Sequence, residues 1–292
     1  MTLTVLAAGL TLVQDLGRPG YAGLGVTESG AADRRSLRRA NRLLGNEDGA
    51  PALESTLGGL VLRAEEKVVL ALTGAPAPVQ VSVQGRRSEV AGPVVQLPAG
   101  AELHLGVPAW GLRTYLALPG GVLAHRVLGS ASRDVLAALG PPPLAAGDRV
   151  AAGASEAVVA TVAGAGDGWH AGPYMLDLLP GPRRDWFTPG SLAALFAEPY
   201  TVTDVGDRVG VRLHGEPLQR ARTGELPSEG LVRGAVQVPA DGQPLIFGPD
   251  HPVTGGYPVI GVLTDDAADA AGQLRPGAQL RFRRRGHTWA DR

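Results

Sequence analysis

The sequence predicts a mostly β fold that carries a few short helices. Its 292 residues include 42 glycines and 24 prolines, which are spread along the chain and separate short runs rich in valine, leucine and threonine. This pattern is typical of many strands joined by turns, whereas helical periodicity is confined to a few segments. The runs that predict strands are Gly59–Arg63, Lys67–Thr73, Pro78–Val83, Val94–Leu97, Glu102–Val107, Leu112–Leu118, Tyr200–Asp204, Gly234–Val238, Leu245–Phe247, Val259–Leu263 and Gln279–Arg283.

Capping residues and periodicity predict the helices. Asp33 is a good N-cap, and the leucines and alanines that follow it fall on one stripe until Gly45-Asn46 closes the helix. A second helix opens at Thr188-Pro189, where proline takes the tolerated first position. A third begins at residues 264–266 and is expected to end near 276–277, and residues 132–140 predict a short fourth helix. Gln84-Gly85, between two strand runs, predicts a hairpin turn.

The length of the chain suits one large domain or two ordinary ones. The stretch Pro141–Glu156 contains three consecutive prolines and many small residues, which is typical of a domain boundary. We therefore predict an N-terminal subdomain of residues 1–155 and a C-terminal subdomain of residues 156–292.

Composition argues against several classes of function. The formal net charge of −1 provides no field for steering toward nucleic acid or an anionic membrane, so neither partner is expected. The absence of cysteine excludes disulfides and a thiolate nucleophile. Lys67 is the only lysine, and no glycine-rich phosphate loop precedes it. Without a long apolar run or a metal-binding histidine pattern, we expect a cytoplasmic protein that holds no metal.

The helix after Asp33 is rich in arginine. A nucleic-acid footprint is one interpretation, but the chain is neutral overall and offers no aromatic platform nearby. A solvated face, or a face that docks on an acidic partner, is therefore the favoured interpretation. The arginines are Arg34, Arg35, Arg38, Arg39 and Arg42.

A first polar cluster combines residues 14–20 with residues 28–33. Asp15 and Arg18 stand with Gln14 in a glycine-rich loop after a strand, which suits recognition of a small polar ligand. The arginine fork matches a substrate carboxylate or a phosphate. The alternative is that Asp15 and Arg18 only pair with each other while Asp33 only caps its helix.

A second polar cluster runs from Ser228 to Tyr257. Turn residues separate short strands there, and the glycines of residues 254–257 can bring backbone amides together as an anion site. His251 is a candidate acid or base because histidine titrates near neutrality, although a histidine beside proline is more often at the surface. Well-made turns without any ligand are the alternative interpretation.

Ordered blocks from Thr11 to Phe282 carry a family resemblance. They include QDLGR at 14–18, SGAAD at 29–33, LTGA at 72–75, GDRVG at 206–210, SEG at 228–230, DGQP at 241–244 and TGGYP at 254–258. In this order they resemble the family that comprises the C-type subunits of 5-oxoprolinase, KipA-like proteins and allophanate hydrolase subunit 2. The same family is also called the biotin-dependent carboxyltransferase family.

The resemblance implies two cyclophilin-like β-barrel subdomains, of which the first is carboxyltransferase-like. It implies a hydrolase subunit that acts with a B-type (KipI-like) and an A-type (LamB/YcsF-like) subunit and is inactive alone. Together these subunits would couple ATP hydrolysis to opening of the 5-oxo-L-proline lactam, which gives L-glutamate. ATP is the expected cofactor, and covalent biotin is not expected in this chain.

The resemblance also implies the residues of a site. Asp15, Gln237 and Asp241 are the expected catalytic residues, and Arg18 or Arg208 is expected to hold a carboxylate or phosphate. The family often has serine where Gly206 stands, and other residues where Ala131 and Arg133 stand, which weakens roles at those positions. The remaining expected substrate- or anion-binding residues are Ser29, Asp33, Asn41, Glu54, Asp207, Ser228, Glu229, Thr254, Gly255, Gly256 and Tyr257.

Two other functions remain open from the sequence. One is the carboxyltransferase half of a urea carboxylase or allophanate system, which needs biotin on a separate carrier. The other is a non-catalytic KipA-like protein that antagonises a kinase inhibitor by binding it.

Overall fold

The computed structural model describes residues 1–154 and 172–286. These residues form two compact units. The first contains residues 1–18, 29–134 and 138–154, and the second contains residues 19–28, 135–137 and 172–286. The boundary predicted at residue 155 lies outside the described residues and stays a prediction.

The first unit is built from two antiparallel sheets and one α-helix. One sheet has six strands in the order β11-β1-β4-β9-β6-β7, and the other has five in the order β2-β3-β10-β5-β8. The helix α1 spans Arg34–Leu43. The strands are β1 Thr2–Ala7, β2 Leu10–Gln14, β3 Ala52–Thr56, β4 Val61–Ala64, β5 Val68–Gly74, β6 Val79–Val83, β7 Arg86–Glu89, β8 Val94–Leu97, β9 Glu102–Leu105, β10 Arg113–Ala117 and β11 Arg149–Ala151.

The five-stranded sheet is buried on both faces. Leu70 and Leu72 of β5 point into the apolar core shared with the six-stranded sheet, while Ala71 between them packs against α1. Because side chains alternate along a strand, a sheet covered on both sides requires a continuous apolar run. This is why residues 67–73 predict a strand without polar alternation.

Helix α1 lies where the sequence predicts it. Asp33 caps its N-terminus by accepting hydrogen bonds from the Ser36 amide at 2.9 Å and the Ser36 hydroxyl at 2.5 Å. Leu37 and Ala40 are fully buried against the five-stranded sheet. The apolar stripe therefore fixes the helix on the sheet.

The second unit is a closed seven-stranded barrel in the order β12-β19-β16-β17-β14-β13-β20. Its helices are α2 Pro189–Ala197 and α3 Asp265–Ala271. A two-stranded ribbon, β15 with β18, lies outside the barrel. The strands are β12 Tyr174–Pro180, β13 Tyr200–Gly206, β14 Gly210–His214, β15 Glu229–Gly230, β16 Ala235–Gln237, β17 Leu245–Phe247, β18 Thr254–Gly255, β19 Val259–Leu263 and β20 Gln279–Arg284.

The mostly β prediction is confirmed, with a closed barrel in the second unit and a pair of packed sheets in the first. The Gln84-Gly85 hairpin between β6 and β7 is confirmed, and both residues have positive φ. Thr188 and Thr264 cap α2 and α3 as predicted, although α3 ends at Ala271, earlier than expected. None of the three α-helices in the described part of the chain has the length and apolar character needed to cross a lipid bilayer.

The helix predicted over residues 132–140 is wrong. The Arg133 amide donates to the Val13 carbonyl at 3.0 Å, and the Asp134 amide donates to the Leu139 carbonyl at 2.9 Å. These bonds replace the i to i−4 bonds of a helix. The segment is held by contacts distant in sequence, which local propensity does not register.

Candidate functional site

Asp15, directly after β2, is the centre of a buried hydrogen-bond network in the first unit. One carboxylate oxygen accepts from the Gly17 amide at 2.7 Å, the Ser130 hydroxyl at 2.6 Å and the Ser132 hydroxyl at 2.5 Å. The other accepts from the Ala131 amide at 2.7 Å. Four donors therefore satisfy a carboxylate that is only 3% exposed. We call these five residues the Asp15 network.

Arg18 lies beside this network and is 1% exposed. Its Nη2 donates to the Ser132 carbonyl, and its Nε donates to the Val127 carbonyl at 3.3 Å. Its Nη1 is buried and makes no hydrogen bond within the described residues. The structure therefore holds this guanidinium by main-chain carbonyls, with Nη1 as its remaining donor.

Gly30, in the second half of the same sequence cluster, lets two loops approach closely. It has φ +95°, and a Cβ there would lie 2.8 Å from the Leu16 carbonyl carbon. Ser29 before it is buried, and its hydroxyl donates to the Arg133 carbonyl at a long 3.4 Å. Only glycine fits at position 30 without moving the loop that carries Asp15.

Glu54 and Asn41 also make internal contacts in the first unit. The buried Glu54 carboxylate accepts from the Ala32 amide at 2.9 Å and the Tyr115 hydroxyl at 2.7 Å, and pairs with Arg113 at 3.4 Å. Burial and the Glu54 carboxylate raise the pKa of Tyr115 well above its ordinary value of 10.0. Asn41 donates to the Ala50 carbonyl at 2.8 Å, which fixes the chain after α1.

In the second unit, Arg208 forms a buried bidentate ion pair. Its Nε and Nη2 lie 2.8 Å and 3.1 Å from the two carboxylate oxygens of Asp250. Asp207 and Asp241 are exposed and stabilise turns. The Asp207 carboxylate accepts a hydrogen bond from the Val209 amide at 2.7 Å, and the Asp241 carboxylate accepts one from the Gln243 amide at 3.0 Å. Turn formation explains the contacts of both aspartates.

The remaining predicted residues of the second unit meet around the ribbon of β15 and β18. Glu229 of β15 pairs with Gly255 of β18, and Arg183 donates from Nε to both Glu229 carboxylate oxygens at 2.9 Å and 3.0 Å. Buried Gln237 donates to the Tyr257 carbonyl at 3.0 Å. A Cβ at Gly255 would lie 2.8 Å from the Gln237 amide nitrogen, so β18 passes close to the end of the Gln237 side chain.

Next to this ribbon is a cleft of about 390 Å³, which we call the Tyr257 cleft. It is lined by Arg220, Gly224, Glu225, Leu226, Gly256 and Tyr257.

Arg220 is held in place by the walls of the Tyr257 cleft. Its Nη2 donates to the Val238 carbonyl at 2.9 Å, and its guanidinium carbon lies 5.7 Å from the Tyr257 ring centre. Its Nε is buried and makes no hydrogen bond within the described residues. Arg220 as a whole is half-buried, and its charged group belongs to the cleft lining beside an aromatic ring, so Arg220 is suited to an anionic ligand.

The structure thus brings together Gln237, Ser228, Glu229 and residues 254–257, and it keeps Arg208 in its own ion pair. Asp15 and Arg18 belong to the first unit, so their predicted convergence with Gln237 and Asp241 stays a prediction. Sequence reasoning missed Arg183 and Arg220. Arg183 directly follows Gly181-Pro182, which is a turn signal, whereas nothing in the local sequence marks Arg220.

His251 is 6% exposed and packs its ring 6.1 Å from that of Phe247, so the surface position expected beside a proline is not observed. Its Nδ1 lies 2.8 Å from the Pro252 carbonyl oxygen. Among residues 1–154 and 172–286, no three His, Asp or Glu side chains are grouped to hold a metal ion.

The fold is that of a mostly β protein, and the ribbon-side cleft is its candidate polar site. The chain belongs to the carboxyltransferase domain family, since the family model "Carboxyltransferase domain, subdomain A and B" matches residues 24–284. It is 35% identical over 285 residues to the C-type subunit of 5-oxoprolinase from Escherichia coli, and the match covers 96% of this chain and 90% of that protein. The resemblance identified from the sequence is therefore confirmed.

Two solved structures are also similar. The crystal structure of TTHA0988 matches with a TM-score of 0.84 and 35% identity over 97% of this chain and 55% of that one. The Kluyveromyces lactis urea carboxylase structure matches with a TM-score of 0.87 and 28% identity over 96% of this chain and 27% of that one. Both relatives therefore contain long segments that have no counterpart here.

Proposed function

We propose that this chain is the C-type subunit of an ATP-dependent 5-oxoprolinase and acts with A-type and B-type subunits. The 35% identity to the C-type 5-oxoprolinase subunit from Escherichia coli, over nearly the full length of both chains, supports this assignment. The proposed reaction couples ATP hydrolysis to opening of the 5-oxo-L-proline lactam and yields L-glutamate. In this proposal the chain is inactive without its partners.

The charged residues that line the Tyr257 cleft match the groups of the proposed substrate. Its lining includes one guanidinium, Arg220, and one carboxylate, Glu225. The substrate has one carboxylate and one lactam N–H, so Arg220 would bind the carboxylate and Glu225 would accept from the N–H. The half-exposed Tyr257 ring would cover the apolar edge of the substrate ring.

An unactivated lactam is a poor electrophile, and ATP would activate it by transferring its terminal phosphoryl group to the lactam oxygen with release of ADP. Water would then attack the activated ring carbon, the C–N bond would open, and phosphate would leave. This chain would contribute to catalysis by orienting the substrate ring and by holding the substrate carboxylate away from the reacting carbon. Lys67, the only lysine, is exposed directly before β5 and does not fit a phosphate-binding loop. We therefore propose that ATP binds in the assembled complex and not on this chain alone.

A coupled assay of ADP release tests the proposal. This chain would be combined with its A-type and B-type partners, and 5-oxo-L-proline would be titrated. We expect oxoproline-stimulated ADP release, and we expect Arg220→Ala to raise KM by about tenfold or more because a charged hydrogen bond is lost. The matched control is Arg222→Ala, because Arg222 pairs with exposed Asp185 at 2.7 Å and does not line the cleft.

Three results would each contradict a part of the proposal. Absence of oxoproline-stimulated ADP release from a verified three-subunit mixture would overturn the assigned reaction. Equal kinetics for Arg220→Ala and Arg222→Ala would keep the reaction but reject the Tyr257 cleft as its site. Turnover that does not depend on adding this chain, despite complex formation, would favour the non-catalytic binding protein.

The similarity to Kluyveromyces lactis urea carboxylase supports a second candidate, the transfer of a carboxyl group from carrier-bound carboxybiotin. This candidate predicts biotin-dependent carboxylation of a urea-type acceptor by a complex that contains this chain. The same preparation would then show no ADP release with 5-oxo-L-proline. The two assays run side by side therefore separate the candidates.

A further inference from the structure

A second cleft, in the first unit, is not used by the proposed function. It also measures about 390 Å³ and is lined by residues that include Arg39, Leu72, Val79, Val90 and Trp110. We propose that this Trp110 cleft binds a small molecule that combines an aromatic or other flat apolar ring with one carboxylate group. Small-molecule sites commonly span roughly 300–1,000 Å³, so its size is appropriate.

The wall formed by residues 72–75 is rigid. Gly74 ends β5 with φ +86°, and the Ala75 amide donates to the Arg113 carbonyl at 2.8 Å. The Thr73 hydroxyl donates to the Ser36 carbonyl at 2.7 Å, and the Thr114 hydroxyl donates to the Ala75 carbonyl at 2.9 Å. These bonds fix the wall before any ligand arrives, which lowers the entropy cost of binding.

This wall is the LTGA block at 72–75, one of the sequence blocks that the Tyr257 cleft leaves unexplained. Leu72 also belongs to the core between the two sheets, so packing accounts for that leucine. Core packing does not account for the cleft that opens beside Thr73, Gly74 and Ala75. A ligand site gives these residues a common role.

The chemistry of the lining defines the ligand. Trp110 is 39% exposed, which leaves part of a large flat ring available for stacking. Val79 and Val90 add apolar surface. Arg39, from α1, is the only charged residue among the described residues that line the cleft. The cleft therefore offers a guanidinium group beside an apolar wall and has no carboxylate in its lining. This combination favours a ligand with an apolar ring and a carboxylate, and it disfavours a cationic ligand.

Binding of 2-naphthoate tests the inference, with neutral 2-naphthamide as the matched probe. Calorimetric titration of the intact chain should show saturable binding of one 2-naphthoate per chain and about tenfold weaker binding of 2-naphthamide. Arg39→Gln should remove this preference for the carboxylate. Arg35→Gln, on the same helix but outside the cleft, should keep it.

Trp110→Ala should weaken both probes, while Trp110→Phe should restore most of the affinity. Retained melting temperature in each variant establishes that the fold is intact. Absence of saturable 2-naphthoate binding, equal affinity for the two probes, or affinity unchanged by both Arg39→Gln and Trp110→Ala would overturn the inference. The experiment uses no 5-oxo-L-proline, so its failure leaves the proposed function untouched.

Discussion

The Asp15 network and the Tyr257 cleft are both built from polar residues in glycine-rich turns, but they treat those residues differently. In the network, a carboxylate that is 3% exposed receives four hydrogen bonds from its own unit. In the cleft, the Tyr257 ring is 47% exposed and the Arg220 Nε makes no hydrogen bond within the described chain. The Asp15 carboxylate is thus satisfied by the protein itself, whereas the Tyr257 cleft presents a partly exposed ring and an arginine to a ligand.

The polar residues of the two sites therefore have different roles. A buried carboxylate whose acceptor capacity is filled by the protein stabilises loops, because removing it leaves several buried donors unsatisfied. A partly exposed arginine beside an aromatic ring offers both charge and apolar surface to a small molecule. The first kind of site should respond to mutation mainly in stability and the second mainly in binding.

The largest expected effect is that of Asp15→Ala on stability. Loss of the acceptor leaves the Ser130 and Ser132 hydroxyls and two amides without their bonds, and we expect the free energy of unfolding to fall by about 3 kcal/mol. Urea denaturation measures this change. Asp15→Asn keeps one acceptor oxygen and should lose less. An unchanged unfolding free energy for Asp15→Ala would contradict this stabilising role and would favour Asp15 as the predicted catalytic residue.

A smaller effect is expected for Gln237→Ala, which removes the hydrogen bond to the Tyr257 carbonyl. We expect a loss of about 1 kcal/mol in stability, accompanied by a raised KM for 5-oxo-L-proline because the turn beside the cleft is released. Gln243→Ala is the matched control, since Gln243 makes two bonds with Gly215 away from the cleft. Equal KM changes in both variants would contradict a specific role of the Tyr257 cleft in substrate binding.

The smallest effect concerns the pH dependence of the Arg183–Glu229 pair. Hydrogen bonding from Arg183 lowers the pKa of Glu229 below its ordinary value of 4.5. Because the folded-state pKa is depressed, the stabilisation is present above pH 4.5 and is lost as the pH falls through that lowered pKa. Solvent screens this partly exposed pair, so the effect is modest.

The melting temperatures of the wild type and Glu229→Gln, measured from neutral to acid pH, test this titration. The difference between them should shrink below pH 4.5, the ordinary pKa of the glutamate. A difference that stays constant over the whole range would show that the ion pair does not anchor the ribbon.

Much of the fold could be predicted from the sequence because its signals are local. Asp33, Thr188 and Thr264 are N-caps whose side chains accept from amides three residues on, and each begins the helix predicted for it. Gln84-Gly85 forms the expected hairpin. The wrong helix at 132–140 shows the limit, since a bond to Val13, more than a hundred residues away, fixes that segment.

The candidate site was predictable only in part. Residues 228–229 and 254–257 stand out as turn-rich blocks, and the structure joins them through the β15–β18 ribbon. Arg220 carries no local signal, and its role depends on lying over a ring 37 positions further along the chain. The capped helices and the strand-forming runs can be predicted from the sequence alone, because they follow from neighbouring residues. The family can be identified as well, because its blocks occur in order along nearly the whole chain. Which polar residues are satisfied by internal hydrogen bonds, and which face a cleft, can be learned only from the tertiary structure. Burial and hydrogen-bond partners depend on chain segments that lie far apart in sequence.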